Sequence, residues 1–415
     1  MSIRIVSSRL AGILIALLAG ITPVLASPGL TLSEAERLAL ENAPWLKHHR
    51  TGAKAAAERV VYESRLPDPQ LTLGFLNVPT DSYRLDREDM TMTMVGIRQA
   101  FPPGDVLKLK GQRAEKELTR EQARVEIEYR NLLRQVRQTW VELYYQQQSL
   151  NTLQELHRLA RKQLEAAEAR YRAAQAMQQS VLQAQQALAR LNEREPMLRA
   201  QIARLQAQLA RWVGEAAYQA LPSDFPSLPP VSSSFDHTRH PEWLAAQYGL
   251  EQARIEVDMA RQEYKPGWML DLTYGYRRPM PDGTERPDML SAMVTLDMPI
   301  FREKRQDRRL AEKQSMEAGA RYEIEEKRRE LEAMYHSMRA EFEALAEREK
   351  IFARELLPAI RRESQVTVAG FARDQVEYRD ALMKTFDTEL EYTRLRVDQT
   401  KAQAELLYLT GESQP

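Results

Sequence analysis

The residue types in this chain that could do chemistry at close spacing are methionine, histidine and a few carboxylates. Met90, Met92 and Met94 alternate along one short stretch, and Met289, Met293 and Met298 lie along another. Thioether sulfur is a soft donor suited to Cu(I) or Ag(I). Methionine is equally an adaptable apolar filler, and we read these six as filler on a sheet face. His48 and His49 are adjacent, so on a helix their rings point about 100° apart, a poor chelating geometry. We read them as solvated surface, and no metal site or cofactor is expected. Glu377 and Asp380 stand three apart and would share a helix face. Arg373 and Arg379 lie beside them, so a plain solvated face pairing locally is the competing reading.

Other chemistries are excluded by what the chain lacks. It has no Cys among 415 residues, which removes disulfides, thiolate zinc sites, iron–sulfur clusters, Cys nucleophiles and Cys-linked lipid anchors. With 16 Gly it contains no GxGxxG, GxxxxGK[ST] or GxSxG pattern. Equal numbers of basic and acidic residues, 59 each, give no footprint for nucleic acid. The chain does not read as an enzyme.

The elements that must position these residues come next. Arg4 and Arg9 precede the apolar run Leu10 to Ile21, and Val24-Leu25-Ala26 supplies a small-residue cleavage pattern, so residues 1–26 read as a secretory signal peptide. Its removal leaves 57 basic against 59 acidic residues. No later stretch has the length of apolar sequence a transmembrane helix needs. From Gly104 to Trp212 the only breakers are Gly104, Gly111 and Pro196, and from Phe301 to Leu409 only Gly319, Pro358 and Gly370. Both stretches are rich in Ala, Gln, Glu, Arg and Leu, strong helix formers. They read as long coiled-coil-like rods.

The two halves repeat each other. Ala114-Glu115-Lys116 recurs as Ala311-Glu312-Lys313, Ala123-Arg124 as Ala320-Arg321, Gly214-Glu215 as Gly411-Glu412 and Pro102 as Pro299, all at a shift of 197. Met94-Val95 matches Met293-Val294 at 199, and Trp45-Leu46 matches Trp243-Leu244 at 198. A near-constant register over so long a stretch reads as an internal duplication. Between the rods of each half, period-two runs read as strands of about 9–11 residues, the length of a tilted membrane strand. They are Leu71, Leu73 and Phe75; Met90, Met92 and Met94; Trp268, Leu270, Leu272 and Tyr274; and Leu290, Ala292, Val294 and Leu296. Four strands cannot close a barrel, and an open edge in lipid leaves backbone groups unsatisfied. Two copies would give an interior filled by side chains; three give twelve strands and a lumen.

These features together resemble the TolC-type outer-membrane efflux channels over about residues 30–412, with wording close to the heavy-metal branch. The carrying motifs are Leu66-Pro67-Asp68-Pro69 opening the first strand, Gln99-Ala100-Phe101-Pro102-Pro103-Gly104 closing the second, and Met298-Pro299-Ile300-Phe301 at the same place in the second half. The resemblance implies a mostly α chain with a small β part. Its duplicated helical-hairpin repeat would form a trimeric α-barrel, capped by a 12-stranded transmembrane β-barrel with four strands per chain. The implied organisation is a first repeat at 27–213 (hairpin about 68–100, helical hairpin about 104–213) and an equatorial segment at 214–236. A second repeat follows at 237–411 (hairpin about 267–299, helical hairpin about 302–410), then a tail at 412–415.

The implied function is an outer-membrane exit channel, with a long periplasmic extension, for substrate delivered by an inner-membrane pump of the resistance–nodulation–division type and a periplasmic adaptor. Heavy-metal cations would be the cargo, outer-membrane lipid a further partner, and nucleic acid none. A multidrug or type I protein-secretion conduit, or a structural periplasmic coiled-coil adaptor or scaffold, are the alternatives. By position after Gly370, the resemblance assigns the pore constriction to Asp374, Glu377 and Asp380. One departure is local: where relatives place Gly after an Arg-Tyr pair at the first helical tip, Arg170-Tyr171 is followed here by Arg172-Ala173-Ala174.

Overall fold

The computed structural model describes residues 29–369 and 375–411. The signal segment 1–26 and Asp374 lie outside the described residues. So do the side chains of Glu377 and Asp380, whose backbone is helical.

Two helices, α1 (Leu32–Asn42) and α2 (Pro44–Glu63), lead into strands β1 (Gln70–Leu76) and β2 (Met92–Phe101). The chain then runs through α3 (Val106–Arg172), unbroken for 67 residues, and back through α4 (Gln178–Val213). The second half follows the same order: α5 (Pro241–Gln262), β3 (Trp268–Tyr276), β4 (Met289–Leu296), α6 (Gln306–Ile351), α7 (Leu357–Ala369) and α8 (Gln375–Thr410). The strands, at 7–10 residues, are somewhat shorter than the sequence pattern suggested. Among the described residues no helix is long and apolar enough to cross a membrane.

Breaker chemistry explains where the rods bend. Pro358 has no N–H and its ring crowds the carbonyl four residues back. The chain answers with a π-helical turn over Phe352–Leu356, in which Leu357 N–H reaches back to the Phe352 carbonyl. Pro196 in α4 is absorbed without interrupting the helix. At the first tip no Gly is available, and Ala174 itself takes the left-handed conformation (φ 55°). Gln175 N–H then closes onto the Arg170 carbonyl at 2.8 Å.

The largest core lies at mid-height, where α1 docks on α3 and α4. Trp140, Val136, Leu143, Leu209, Ala35 and Ala39 are wholly buried there. The Trp140 indole N–H donates to the Leu30 carbonyl at 3.0 Å, and Arg137 pairs with Glu36 at 2.6 Å. The connecting segment after α4 wraps the same level. Tyr144 OH donates to the Ser223 carbonyl and Gln403 to the Pro229 carbonyl, each at 2.8 Å, so one segment touches both helical hairpins.

Candidate functional site

The four strands form one antiparallel sheet in the order β1-β2-β3-β4. Register decides what each face carries. Leu71 and Leu73 oppose Ile97 and Val95, which oppose Leu272 and Tyr274 in turn; Trp268 and Leu270 oppose Leu296 and Val294. That face is apolar and bare: Leu73 is 71% exposed and Leu290 79%. Phe101 and Trp268 stack on it with ring centroids 3.9 Å apart, at the end nearest the helices. The opposite face carries Gln70, Thr72, Arg98, Asp271, Thr273, Ser291 and Thr295, with Arg98 and Asp271 paired across β2 and β3 at 2.7 Å. Within the chain β1 and β4 each have one unpaired edge.

The methionines do not lie on the apolar face. Met92 and Met94 share the polar face with Arg98, and Met289 and Met293 share it with Ser291. Their expected place is therefore corrected: on β2 the apolar positions are Val95, Ile97 and Phe101. Met90 and Met298 fall outside the strands and are exposed.

Beyond the strands the two loops are tied by arginine. Arg277 donates to the Asp89 carbonyl at 3.0 Å, and Arg286 to the Leu85 carbonyl at 3.3 Å and to the Glu88 carbonyl. At the other extreme, His48 and His49 are edge-to-face at 5.4 Å and both pack on Trp45. Among the described residues no cluster of His, Asp or Glu is arranged to hold a metal ion.

The helical body joins its halves through half-buried charge. Glu142 on α3 accepts from Arg394 of α8 at 2.9 Å and also from Lys401, while Arg134 pairs with Glu405 at 2.9 Å. Burial raises the Glu142 pKa, but bonds from Lys401 and Gln146 and the neighbouring charges outweigh it and hold the carboxyl low. A second node was not flagged in the sequence. His240 caps α5, accepting from Glu242 N–H at 3.3 Å, and burial depresses its pKa to about 4 against the opposing pull of Glu242. Glu242 accepts from Tyr408 and from Lys327 (2.9 Å). His240 directly before Pro241 was the available signal, a capping residue ahead of Pro at the first helical position. Its partners lie too far along the chain to be read.

The chain shares this fold with outer-membrane channels of known structure. Residues 36–215 match the model of the outer membrane efflux protein family. Three solved structures share the fold across nearly the whole chain. The outer membrane protein VceC of Vibrio cholerae is 15% identical, with 92% of this chain and 96% of that one covered and a TM-score of 0.72. The MtrE outer membrane channel of Neisseria gonorrhoeae in its open state is 14% identical, covering 92% and 89% at 0.74. CusC, a transmembrane channel, is 14% identical, covering 93% of each at 0.76. No curated protein matches the sequence. By a match over its first half and by this shared fold, the chain is similar to the outer membrane efflux proteins.

Proposed function

We propose that the chain is the outer-membrane exit duct of a tripartite efflux system, exported by its signal segment and working as a homotrimer. The observation that carries this is the sheet: one bare apolar face, one polar face and two open edges, joined to helices that are polar over most of their surface. Three copies, each edge β4 meeting the next copy's β1, satisfy every edge and put the apolar face in lipid. The chain is two copies of one unit, 27–213 and 237–411, joined by 214–236. The helical hairpins extend into the periplasm toward an adaptor and a resistance–nodulation–division pump, and heavy-metal cations are the cargo.

The test is deletion with complementation, read on copper, silver, zinc, cobalt and cadmium salts beside detergents, dyes and antibiotics. Selective metal sensitivity supports the reading; sensitivity to amphipathic drugs alone overturns the cargo and leaves a multidrug duct. Recovery of the protein from periplasm without detergent would overturn the channel in favour of a scaffold. At the tip, Asp374, Glu377 and Asp380 would become rings of three carboxylates that attract cations. Replacing Glu377 and Asp380 together by Ala is expected to raise single-channel conductance and lower cation preference in planar bilayers; unchanged conductance removes the assignment.

A further inference from the structure

Within the chain the two halves of the sheet meet at one seam, and the counterpart of that seam is bare. Strand β2 pairs with β3 from Phe101↔Trp268 to Thr93↔Tyr276. At its helix end Gln262, the last residue of α5, accepts from Asp105 N–H at 3.3 Å. Gln262 and Lys265 close so tightly on Gly104 (φ 54°) that a Cβ there would meet Lys265 Cδ at 2.7 Å. Prolines flanking the strands repeat at fixed shifts, Pro67 and Pro266 at 199, Pro102 and Pro299 at 197. At these shifts Gln70↔Arg98 falls on Met269↔Thr295, a pair that the second hairpin makes. The repeat of the β2–β3 seam is therefore β4 against β1, the two edges left open within the chain. The connections beside those edges are equally bare. Residues 64–70 are exposed throughout. Ile300 and Phe301, 67% and 73% exposed, line a groove of about 440 Å3 together with Asp297, Arg305 and Lys265.

We propose that β4 of one copy binds β1 of a second copy in a single register, Thr295 opposite Thr72 and Met293 opposite Gly74, with residues 64–69 of the second copy seated along the groove. The register is that of the inner seam carried over by the two shifts: Arg98↔Asp271 becomes Thr295↔Thr72, and Gly96↔Thr273 becomes Met293↔Gly74. What this brings together is complementary. On the apolar face Leu296 meets Leu71 and Val294 meets Leu73; on the polar face two threonines meet, a favourable cross-strand pair. Met293, exposed within the chain, falls beside a position with no side chain to crowd it. At the helix end the contacts of the inner seam change character. Gly104 and Lys265 become Phe301 and Leu66, both apolar and exposed. Asp105 and Gln262 become Arg302 and Glu63, of opposite charge. A slip of one residue would turn Leu71 and Leu73 to the polar face, and a slip of two sets Met293 against Thr72 or Leu76. The proposal rests on the homotrimer reading above and adds the contact that holds it.

The chain has no Cys, so introduced thiols report without background. Full-length Thr72→Cys/Thr295→Cys, oxidised in isolated membranes with copper phenanthroline, should run as a ladder of covalently linked copies and return to single chains with reductant. Because β1 and β4 lie at opposite edges of one sheet, each link joins two copies. Opposed residues stand about 5 Å apart and diagonal ones about 7–8 Å, at or beyond the reach of a disulfide. Gln70→Cys/Thr295→Cys and Gly74→Cys/Thr295→Cys should therefore link at least tenfold less. Leu71→Cys/Leu296→Cys repeats the test on the other face, independently of how the threonine variant folds, and Leu66→Cys/Phe301→Cys should link across the groove. Preferential linking of a slipped pair, or no link at either opposed pair in a chain that sediments as a trimer, overturns the register and leaves the homotrimer standing. No Leu66–Phe301 link overturns the seating in the groove. A chain that sediments as a single copy in detergent and stays unlinked in every variant removes both the register and the homotrimer.

Discussion

The mid-height core of the first half and its counterpart in the second half solve one packing problem with different chemistry. Around Trp140 the first half packs α1, α3 and α4 through Leu132, Val136, Leu209 and Trp212. The positions 197 residues on from Leu132 and Trp140 are Arg329 and Ser337, and the second-half cluster shrinks to Leu331, Tyr335, Leu406, Tyr408 and Leu409. Polar groups take up the difference: His240, Glu242, Lys327 and Tyr408 interlock where the first half has hydrocarbon. Hydrocarbon burial is indifferent to pH, whereas a buried imidazole is not. Similar backbones therefore respond differently to the same stress.

Trp140→Ala breaks the apolar side most directly. It should cost about 3–5 kcal/mol, the range for truncating a buried aromatic, and free the Leu30 carbonyl. Tyr335→Ala should cost distinctly less in the same urea titration, and equal losses would erase the comparison. Acid probes the polar side. The folded His240 pKa of about 4 lies below the ordinary 6.5, so the unfolded chain takes the proton first. Stability is complete above about pH 6.5 and falls as pH drops through about 4, by up to about 3 kcal/mol. Glu242, whose carboxyl is also held low, adds its loss further down. His240→Asn keeps a capping acceptor and should flatten the slope between those limits; a wild-type slope in that variant would assign the titration elsewhere.

Smaller effects separate the rods. Pro358→Ala restores an N–H and should let the π turn relax into α-helix, raising stability by about 1 kcal/mol. If hydrogen exchange across residues 352–357 is unchanged, the proline is not the cause of that turn. Smallest is the first tip, where Ala174→Gly relieves a left-handed Ala. It should gain about 0.5–1 kcal/mol, seen as slower proteolysis at residues 173–177.

The helical plan was legible because breakers are so sparse that their positions nearly dictate the element bounds. Apolar alternation likewise located all four strands. The face of the methionines was misread for a definable reason. In the window Met90 to Val95 every second residue is Met, and a short window cannot say which parity is the apolar side. Extended to Arg98, the same parity carries a charge whose partner, Asp271, lies 173 residues away. Pro358 signalled a break without its form, and Ala174 gave no sign of positive φ. The His240 node was invisible because Tyr408 and Lys327 reach it only through the fold. Local chemistry was readable, whereas contacts between the halves were not.

The bare edges of β1 and β4 have a genetic consequence. A ring closes only if every member offers two sound edges, so one faulty copy spoils its neighbours' work along with its own. A proline placed in β4 would therefore act as a poison and not as a simple loss. Mixed at equal amounts with sound copies, it would leave on the order of one ring in eight intact in the homotrimer proposed above. The allele would be dominant, and its dominance would count the chains in the ring.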